Sequence, residues 1–223
     1  MIISILDYGS GNIKSVSKAV ECAALNLGKS AQVQVIADVK KIKLSDKIIL
    51  PGQGSFKQCA DTLFKTTGAI DELNEFVIQK KKYIFGICVG MQLFSDYGYE
   101  DGGYKGLGWI KGEVKKINIT DLKLKLPHMG WNEIKIKNDH GLFKNLSNDK
   151  HFYFVHSYHF VASTEINVAA STLYQEEITA AVRAGFGKYL GAFVEYSLTP
   201  LFKKGSTIAI YPIRFGLSIN VGY

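Results

Sequence analysis

Cysteine is scarce in this 223-residue chain: there are three, Cys22, Cys59 and Cys88, and none is paired in a Cys-x-x-Cys motif. An odd number without such pairs argues against a disulfide framework, so we expect a reducing, cytoplasmic location. Residues 1–6 are too short, and lack the basic start, for a signal peptide. No apolar run approaches the roughly 20 residues that cross a membrane, so we expect no membrane association.

The chain also lacks the charge pattern of a nucleic-acid-binding protein. Its formal net charge is +7, but the lysines are scattered and no arginine-rich stripe with interleaved aromatic residues is present. Solvated surface lysines explain this excess. No histidine spacing suggests a metal site. We therefore expect no nucleic acid and no metal among its ligands.

Hydrophobic periodicity divides the chain into two halves with different predicted secondary structure. Up to about residue 95, predicted strands alternate with predicted helices, which is typical of a doubly wound sheet. From about residue 104, the patterns favour strands. The predicted strands are 1–6, 31–36, 47–50, 83–87, 108–119, 132–137, 152–161 and 167–174, and the predicted helices are 13–27, 69–79 and 89–94. We predict one α/β domain over residues 1–223, with a mostly parallel central sheet flanked by helices and a β-rich C-terminal half.

The sharpest local feature is the segment Gly86-Ile87-Cys88-Val89-Gly90, which joins a predicted strand to a predicted helix. It is the cysteine counterpart of the Gly-x-Ser-x-Gly turn that exposes a catalytic serine. A thiol at a helix N-terminus is favoured as thiolate, the nucleophilic form. The alternative is a buried cysteine in a tight strand-to-helix turn, and the pentapeptide alone does not decide between them.

A second feature is Pro51-Gly52-Gln53-Gly54, which directly follows the predicted strand 47–50. Parallel sheets bind ligands at the carboxyl ends of their strands, so this loop and the Cys88 turn could face each other. Backbone N–H groups there could stabilise a tetrahedral oxyanion. A plain turn is the alternative.

Together these motifs resemble the class I glutamine amidotransferases, and more narrowly the glutaminase subunits of imidazole glycerol phosphate synthases. Five segments match in order at the family's spacing, and the resemblance runs from residue 1 to about 183. The segments are Asp7-Tyr8-Gly9-Ser10-Gly11-Asn12-Ile13, Pro51-Gly52-Gln53-Gly54, Gly86-Ile87-Cys88-Val89-Gly90-Met91-Gln92, Pro127-His128-Met129-Gly130-Trp131-Asn132 and Tyr153-Phe154-Val155-His156-Ser157-Tyr158.

The resemblance implies a role for each segment and no cofactor. Cys88 would attack the side-chain amide of glutamine, forming a glutamyl thioester and releasing ammonia. A (β/α)₈-barrel partner would use that ammonia to make imidazole glycerol phosphate and AICAR in histidine biosynthesis. The implied oxyanion hole is Gly52 and Val89; the implied substrate-binding residues are Gln92, His156, Ser157 and Tyr158; the implied partner-facing residues are Asn12, Pro127, His128, Met129, Gly130, Trp131 and Asn132.

The last 40 residues depart from the family pattern. The family's base and orienting acid come from a His-Pro-Glu segment, whereas this chain has no histidine after His159 and reads Gly191-Ala192-Phe193-Val194-Glu195-Tyr196-Ser197. Neither Glu195 nor Ser197 can be assigned the missing roles. A change of reading frame near codon 184, which the abrupt end of the match favours, and true divergence both explain residues 184–223. We predict that this polypeptide is nearly inactive as a glutaminase.

Three other functions remain open from the sequence. A paralogous amidotransferase could supply ammonia for bacterial surface-sugar biosynthesis, because the interface motifs look shared. A non-enzymatic scaffold could bind the barrel without hydrolysing glutamine. An unrelated cysteine protease or thiol esterase would explain the Cys88 turn but not residues 127–132.

Overall fold

A computed structural model describes residues 1–26, 28, 30–121, 123–137, 143, 151–184 and 190–193. Its strands are β1 (Ile2–Leu6), β2 (Gln32–Ile36), β3 (Lys47–Gly52), β4 (Tyr83–Cys88), β5 (Tyr97–Gly98), β6 (Tyr104–Lys105), β7 (Gly112–Lys116), β8 (His128–Glu133), β9 (Lys135–Ile136), β10 (His151–His156), β11 (Tyr158–Ala162), β12 (Val168–Tyr174), β13 (Glu176–Ala184) and β14 (Leu190–Phe193). Its α-helices are α1 (Ile13–Asn26), α2 (Phe56–Lys65), α3 (Ala69–Asn74) and α4 (Val89–Gln92).

The main sheet has eight strands in the order β2-β1-β3-β4-β14-β13-β12-β9. Strands β2, β1, β3, β4 and β14 are parallel neighbours, whereas β13, β12 and β9 continue the sheet in antiparallel fashion. Two smaller sheets accompany it, β10-β8 and β11-β7-β5-β6. The predicted α/β class, with its parallel central sheet and β-rich C-terminal half, is confirmed.

Strands β1 and β3 are mostly apolar because the sheet is covered on both faces. On one face, Val20 of α1 packs with Ile3, Ile5 and Ile49. On the other, α2 buries four side chains that recur at helical spacing, Phe56, Cys59, Ala60 and Leu63. Ser55 caps α2 by accepting a hydrogen bond from the N–H of Gln58. This helix was not predicted from the sequence.

Three predicted elements are interrupted in the structure. The strand expected over 132–137 breaks at Ile134, between β8 and β9. The helix expected over 69–79 is α-helical as far as Asn74 and continues as a π-helical turn, Glu75–Gln79. The strand expected over 152–161 breaks at Ser157, so that β10 pairs with β8 while β11 pairs with β7. Within the described residues, no helix is both long enough and apolar enough to cross a membrane.

Candidate active site

Cys88 ends strand β4 and directly precedes α4. Its backbone has φ 54° and ψ −118°, a conformation that L-residues rarely adopt. Such a conformation costs about 1–3 kcal/mol and persists only where the surrounding structure enforces it. This is the sharp strand-to-helix turn that the Gly-x-Cys-x-Gly pattern predicts.

Glycine is required around Cys88 because backbones pass too close for a side chain. A Cβ on Gly90 would lie 1.9 Å from the carbonyl oxygen of Leu50, and one on Gly86 would lie 2.6 Å from the Cα of Met91. A Cβ on Gly52 would lie 2.4 Å from the backbone nitrogen of Gly90. The Cys88 turn therefore packs backbone to backbone against the end of β3.

The structure brings the two predicted loops together. Strands β3 and β4 are parallel, and their register pairs Gly52 with Cys88. Val89 follows Cys88 as the first residue of α4. The backbone around Gly52 and the backbone after Cys88 thus lie next to each other at the same edge of the sheet.

Side chains from the turn after β1 hold the Gly52 loop, and no such role was predicted for them from the sequence. The Tyr8 hydroxyl, 4% exposed, donates a 2.7 Å hydrogen bond to the carbonyl oxygen of Pro51. That carbonyl and the N–H of Gly52 belong to one planar peptide unit, so the bond sets the direction of the Gly52 N–H. Ser10 Oγ contacts both the N–H and the carbonyl of Gln53, at 3.3 and 3.1 Å.

Tyr8, Ser10 and Cys59 form a clamp on the Gly52 loop, and burial keeps the Tyr8 hydroxyl and the Cys59 thiol protonated. Desolvation raises the pKa of the Tyr8 hydroxyl well above its usual value and raises the pKa of the Cys59 thiol as well. Cys59 Sγ lies 3.0 Å from Ser10 Oγ and donates a 3.3 Å hydrogen bond to the carbonyl of Gln53. Cys59 is therefore a buried hydrogen-bond donor.

Gln92, one turn after Cys88, is buried at 5% exposure. Its Nε2 donates to the carbonyl oxygen of Tyr158 at 3.3 Å. Its Oε1 is also buried but has no hydrogen-bond partner among the described residues. Leaving a buried acceptor unpaired costs about 1–3 kcal/mol, so a ligand N–H that reached Oε1 would bind favourably.

His156 and Tyr158 flank the break between β10 and β11. His156 Nδ1 and Gln92 Nε2 both donate to the Tyr158 carbonyl, the former at 3.0 Å. The carbonyl of Ser157 between them accepts from the N–H of Ile117 at 2.9 Å. The predicted substrate-binding residues Gln92, His156 and Tyr158 are thus joined in one hydrogen-bonded group.

His156 also contacts His128, its register partner on β8. His128 Nδ1 and His156 Nε2 are 3.0 Å apart, and His128 Nε2 lies 3.3 Å from Asn132 Nδ2. Burial lowers the pKa of both imidazoles, that of His128 to about 4. All four ring nitrogens are used inside this group, so neither histidine is available as a base for Cys88.

The other predicted partner-facing residues lie in two places. On β8, Met129 and Trp131 are each 60% exposed and point away from the face that carries His128. Asn12 caps α1 by accepting from the N–H of Ser15, in the segment that follows the clamp on the Gly52 loop. Pro127 directly precedes β8, and Gly130 lies within it.

The base expected from the family pattern is not found in the part of the chain that the structure describes. Strand β14 runs parallel to β4 and ends with Phe193 opposite Ile87, one residue before the level of Cys88. Glu195 and Ser197 lie outside the described residues. Nor does any group of three or more His, Cys, Asp or Glu side chains in the described segments have the arrangement of a metal site.

Residues 4–192 match the family of class-I glutamine amidotransferases. Imidazole glycerol phosphate synthase subunit HisH of Pelagibacter ubique is 46% identical over 182 residues, which cover 82% of this chain and 86% of that protein. The protein of the same name from Brucella abortus is 41% identical over 185 residues, with the same coverage.

Solved structures agree on the fold at lower sequence identity. A glutamine amidotransferase crystal structure matches 86% of this chain and 88% of its own, with a TM-score of 0.61 and 16% identity. A glutamine amidotransferase from Thermotoga maritima matches 86% of this chain and 74% of its own, with a TM-score of 0.57 and 12% identity. By fold, sequence and family match, the chain belongs to the class I glutamine amidotransferases.

Proposed function

We propose that the chain is the glutaminase subunit of an imidazole glycerol phosphate synthase, acting in histidine biosynthesis in the cytoplasm. The observation that carries this is Cys88 in a strained strand-to-helix turn opposite Gly52, within a chain of this family. Glutamine is hydrolysed to glutamate and ammonia, and the ammonia passes to a (β/α)₈-barrel partner that makes imidazole glycerol phosphate and AICAR. We treat residues 1–223 as one amidotransferase domain whose family character ends near residue 183.

In the proposed reaction, the Cys88 thiolate attacks the amide carbon of glutamine. The tetrahedral oxyanion accepts hydrogen bonds from the N–H groups of Gly52 and Val89, each worth roughly 3 kcal/mol. The C–N bond then breaks, the nitrogen takes up a proton and ammonia leaves a glutamyl thioester. Water hydrolyses the thioester to glutamate and restores the thiol.

Glutamine is proposed to lie between the Cys88 turn and the β10–β11 break. Gln92 Oε1 is the unpaired acceptor in this region of the described structure. The backbone of His156, Ser157 and Tyr158 lines the other side. This placement uses every substrate-binding residue that the sequence indicated.

The proton transfers require a base, and the chain lacks the His-Pro-Glu segment that supplies it in the family. A cysteine without base and orienting acid loses several orders of magnitude in turnover, by analogy with triad deletions. We therefore propose that this polypeptide binds glutamine and presents Cys88 but turns over very slowly. Resequencing codons 180–223 tests the reading-frame explanation, which an unchanged frame would overturn.

The partner is proposed to dock on the exposed face of β8 and β10. Met129 and Trp131 on β8 stand opposite Val155 and Tyr153 on β10, and Trp131 contacts Tyr153 edge to face with ring centroids 5.6 Å apart. Exposed aromatic and methionine side chains on a rigid sheet are typical of interface cores. The HisH relatives are named as subunits of a synthase, which supports a partner subunit for this chain.

The two alternative functions are a role in surface-sugar biosynthesis and a catalytically impaired scaffold. The names of the relatives favour histidine biosynthesis over surface-sugar biosynthesis. The absent His-Pro-Glu segment favours a catalytically impaired scaffold as second candidate.

The deciding experiment measures glutamate release with and without the barrel subunit, beside Cys88→Ala and beside labelling by an electrophilic glutamine analogue. An adduct at Cys88 with very slow turnover is the expected result. No adduct at Cys88, with intact binding to the barrel, would establish the scaffold instead.

A further inference from the structure

The Gln92 side chain can take only one orientation in this site. The Tyr158 carbonyl is an acceptor without a proton, so the amide atom that faces it at 3.3 Å has to be the NH₂ group. The amide oxygen therefore points the other way, where it is buried and unpaired among the described residues. Rotating the amide by half a turn would set an oxygen against the Tyr158 carbonyl.

The Tyr158 carbonyl is itself held by an ordered chain of donors. Because it can only accept, His156 Nδ1 carries the proton at their 3.0 Å contact, and His156 Nε2 is then the acceptor. His128 Nδ1 has to donate to His156 Nε2 at 3.0 Å, which leaves His128 Nε2 to accept from Asn132. One tautomer of each ring satisfies every contact.

Packing holds these rings in place. His128 stacks on Phe154 at 4.8 Å between centroids and on Tyr174 at 4.1 Å. Asn132 is fixed from its far side by a 2.8 Å hydrogen bond from Nδ2 to the carbonyl of Leu173. The donor chain thus begins on a rigid strand and ends at the Tyr158 carbonyl.

We propose that His156, supported by His128 and Asn132, is a positioning residue for glutamine binding. It fixes the Tyr158 carbonyl, which in turn orients the Gln92 amide so that Oε1 accepts an N–H of the bound glutamine. The inference rests on the proposed function and assigns these histidines a role through hydrogen bonds rather than through contact with the reacting atoms.

The test compares two substitutions at one position in the complex with the barrel subunit, on a Cys88→Ala background that prevents turnover. His128→Leu removes the ring donor, whereas His128→Asn keeps an N–H near the position of Nδ1. Calorimetry should show about tenfold weaker glutamine binding for His128→Leu, the loss of roughly one hydrogen bond. His128→Asn should restore most of that loss.

Two further readouts separate positioning from general damage. With Cys88 present, alkylation by iodoacetamide should proceed at the same rate in the His128 variants as in the parent chain. The ¹⁵N signals of His156 should show a protonated Nδ1 and an unprotonated, accepting Nε2 in the parent, with the Nε2 shift altered by His128→Leu.

Asn132→Asp provides a second route if His128→Leu does not fold, because it keeps the size of the side chain while removing the amide N–H groups that reach His128 Nε2 and the Leu173 carbonyl. A rise in the glutamine Kd supports the inference. Unchanged glutamine affinity in the folded variants overturns it while leaving the proposed function intact. If the parent complex binds no glutamine and Cys88 takes no label from the glutamine analogue, the proposed function fails as well.

Discussion

Cys88 and Gly52 are paired positions of two parallel strands, and each is held where it is by the backbone of the other's segment. The strained conformation of Cys88 is thus enforced by the close approach of β3 to the turn. Preorganised donors next to a nucleophile are the largest single contribution in many acyl-transfer sites. Substitutions near Cys88 and Gly52 should therefore change stability or Cys88 labelling, whereas substitutions on the exposed face of β8 should change partner binding.

Gly90→Ala should destabilise the fold and displace Cys88. Its Cβ would lie 1.9 Å from the Leu50 carbonyl oxygen. That oxygen belongs to the backbone of β3, which cannot move away without disturbing the sheet. We expect a loss of about 3 kcal/mol or more in the free energy of unfolding, measured by urea denaturation. Gly28→Ala is the control, since nothing lies within 4 Å of that site and only its positive φ, 60°, is unfavourable. Equal losses in both variants would contradict the steric explanation.

Tyr8→Phe should loosen the Gly52 peptide without emptying the core. The substitution removes the hydrogen bond to Pro51 and keeps the ring. We expect about 1 kcal/mol lower stability, together with several-fold slower labelling of Cys88 by the glutamine analogue. Alkylation of Cys88 by iodoacetamide is the control reaction and should keep its rate. Unaltered analogue labelling would show that the Tyr8 hydroxyl does not position the loop.

Three histidines whose pKa values are lowered by burial predict that stability falls on acidification. Burial lowers the pKa values of His128 and His159 to about 4 and lowers that of His156 too. Between the unfolded value near 6.5 and these folded values, the unfolded chain binds more protons, so stability is complete above about pH 6.5 and declines toward pH 4.

Thermal unfolding from pH 7 to pH 5 checks this decline. The midpoint should fall steadily over that range, and His128→Asn should give a shallower slope because one titrating ring is gone. A slope identical to that of the parent chain would mean that His128 does not contribute.

Trp131→Ala should weaken partner binding while leaving the fold intact. Trp131 is 60% exposed on a face that includes Met129 and Val155. Aromatic hot spots cost about 2 kcal/mol or more on truncation, about 30-fold in Kd for the barrel subunit. Leu44→Ala, at a similarly exposed apolar residue elsewhere, is the matched control for surface effects. The interface assignment would be wrong if both variants bound the barrel equally well.

The Cys88 turn could be predicted from sequence because its glycine pattern lies within five consecutive residues, 86–90. Only glycine fits at residues 86 and 90, so the pattern Gly-x-Cys-x-Gly after an apolar run predicts the geometry directly. The position of the Gly52 loop beside the Cys88 turn could be predicted because the carboxyl ends of parallel strands lie at the same edge of a sheet. Both predictions depend on residues close together in the chain or on a general rule of topology.

The clamp on the Gly52 loop and the histidine pair could not be predicted in the same way. Tyr8 and Pro51 are 43 residues apart, and His128 and His156 are 28 apart, so their hydrogen bonds depend on tertiary register. Helix α2 was missed although Phe56, Cys59, Ala60 and Leu63 recur at helical spacing after the capping residue Ser55. The catalytic and binding roles assigned to individual side chains stay predictions.

The alternation of side chains along strand β8 should be visible in a mutational scan. Its side chains alternate between two faces, and we propose a different task for each face. Positions 128 and 132 belong to the hydrogen-bonded group that includes His156. Positions 129 and 131 belong to the exposed apolar face. Substitutions taken one residue at a time along this short stretch should therefore give defects that alternate, glutamine affinity at one position and complex formation at the next.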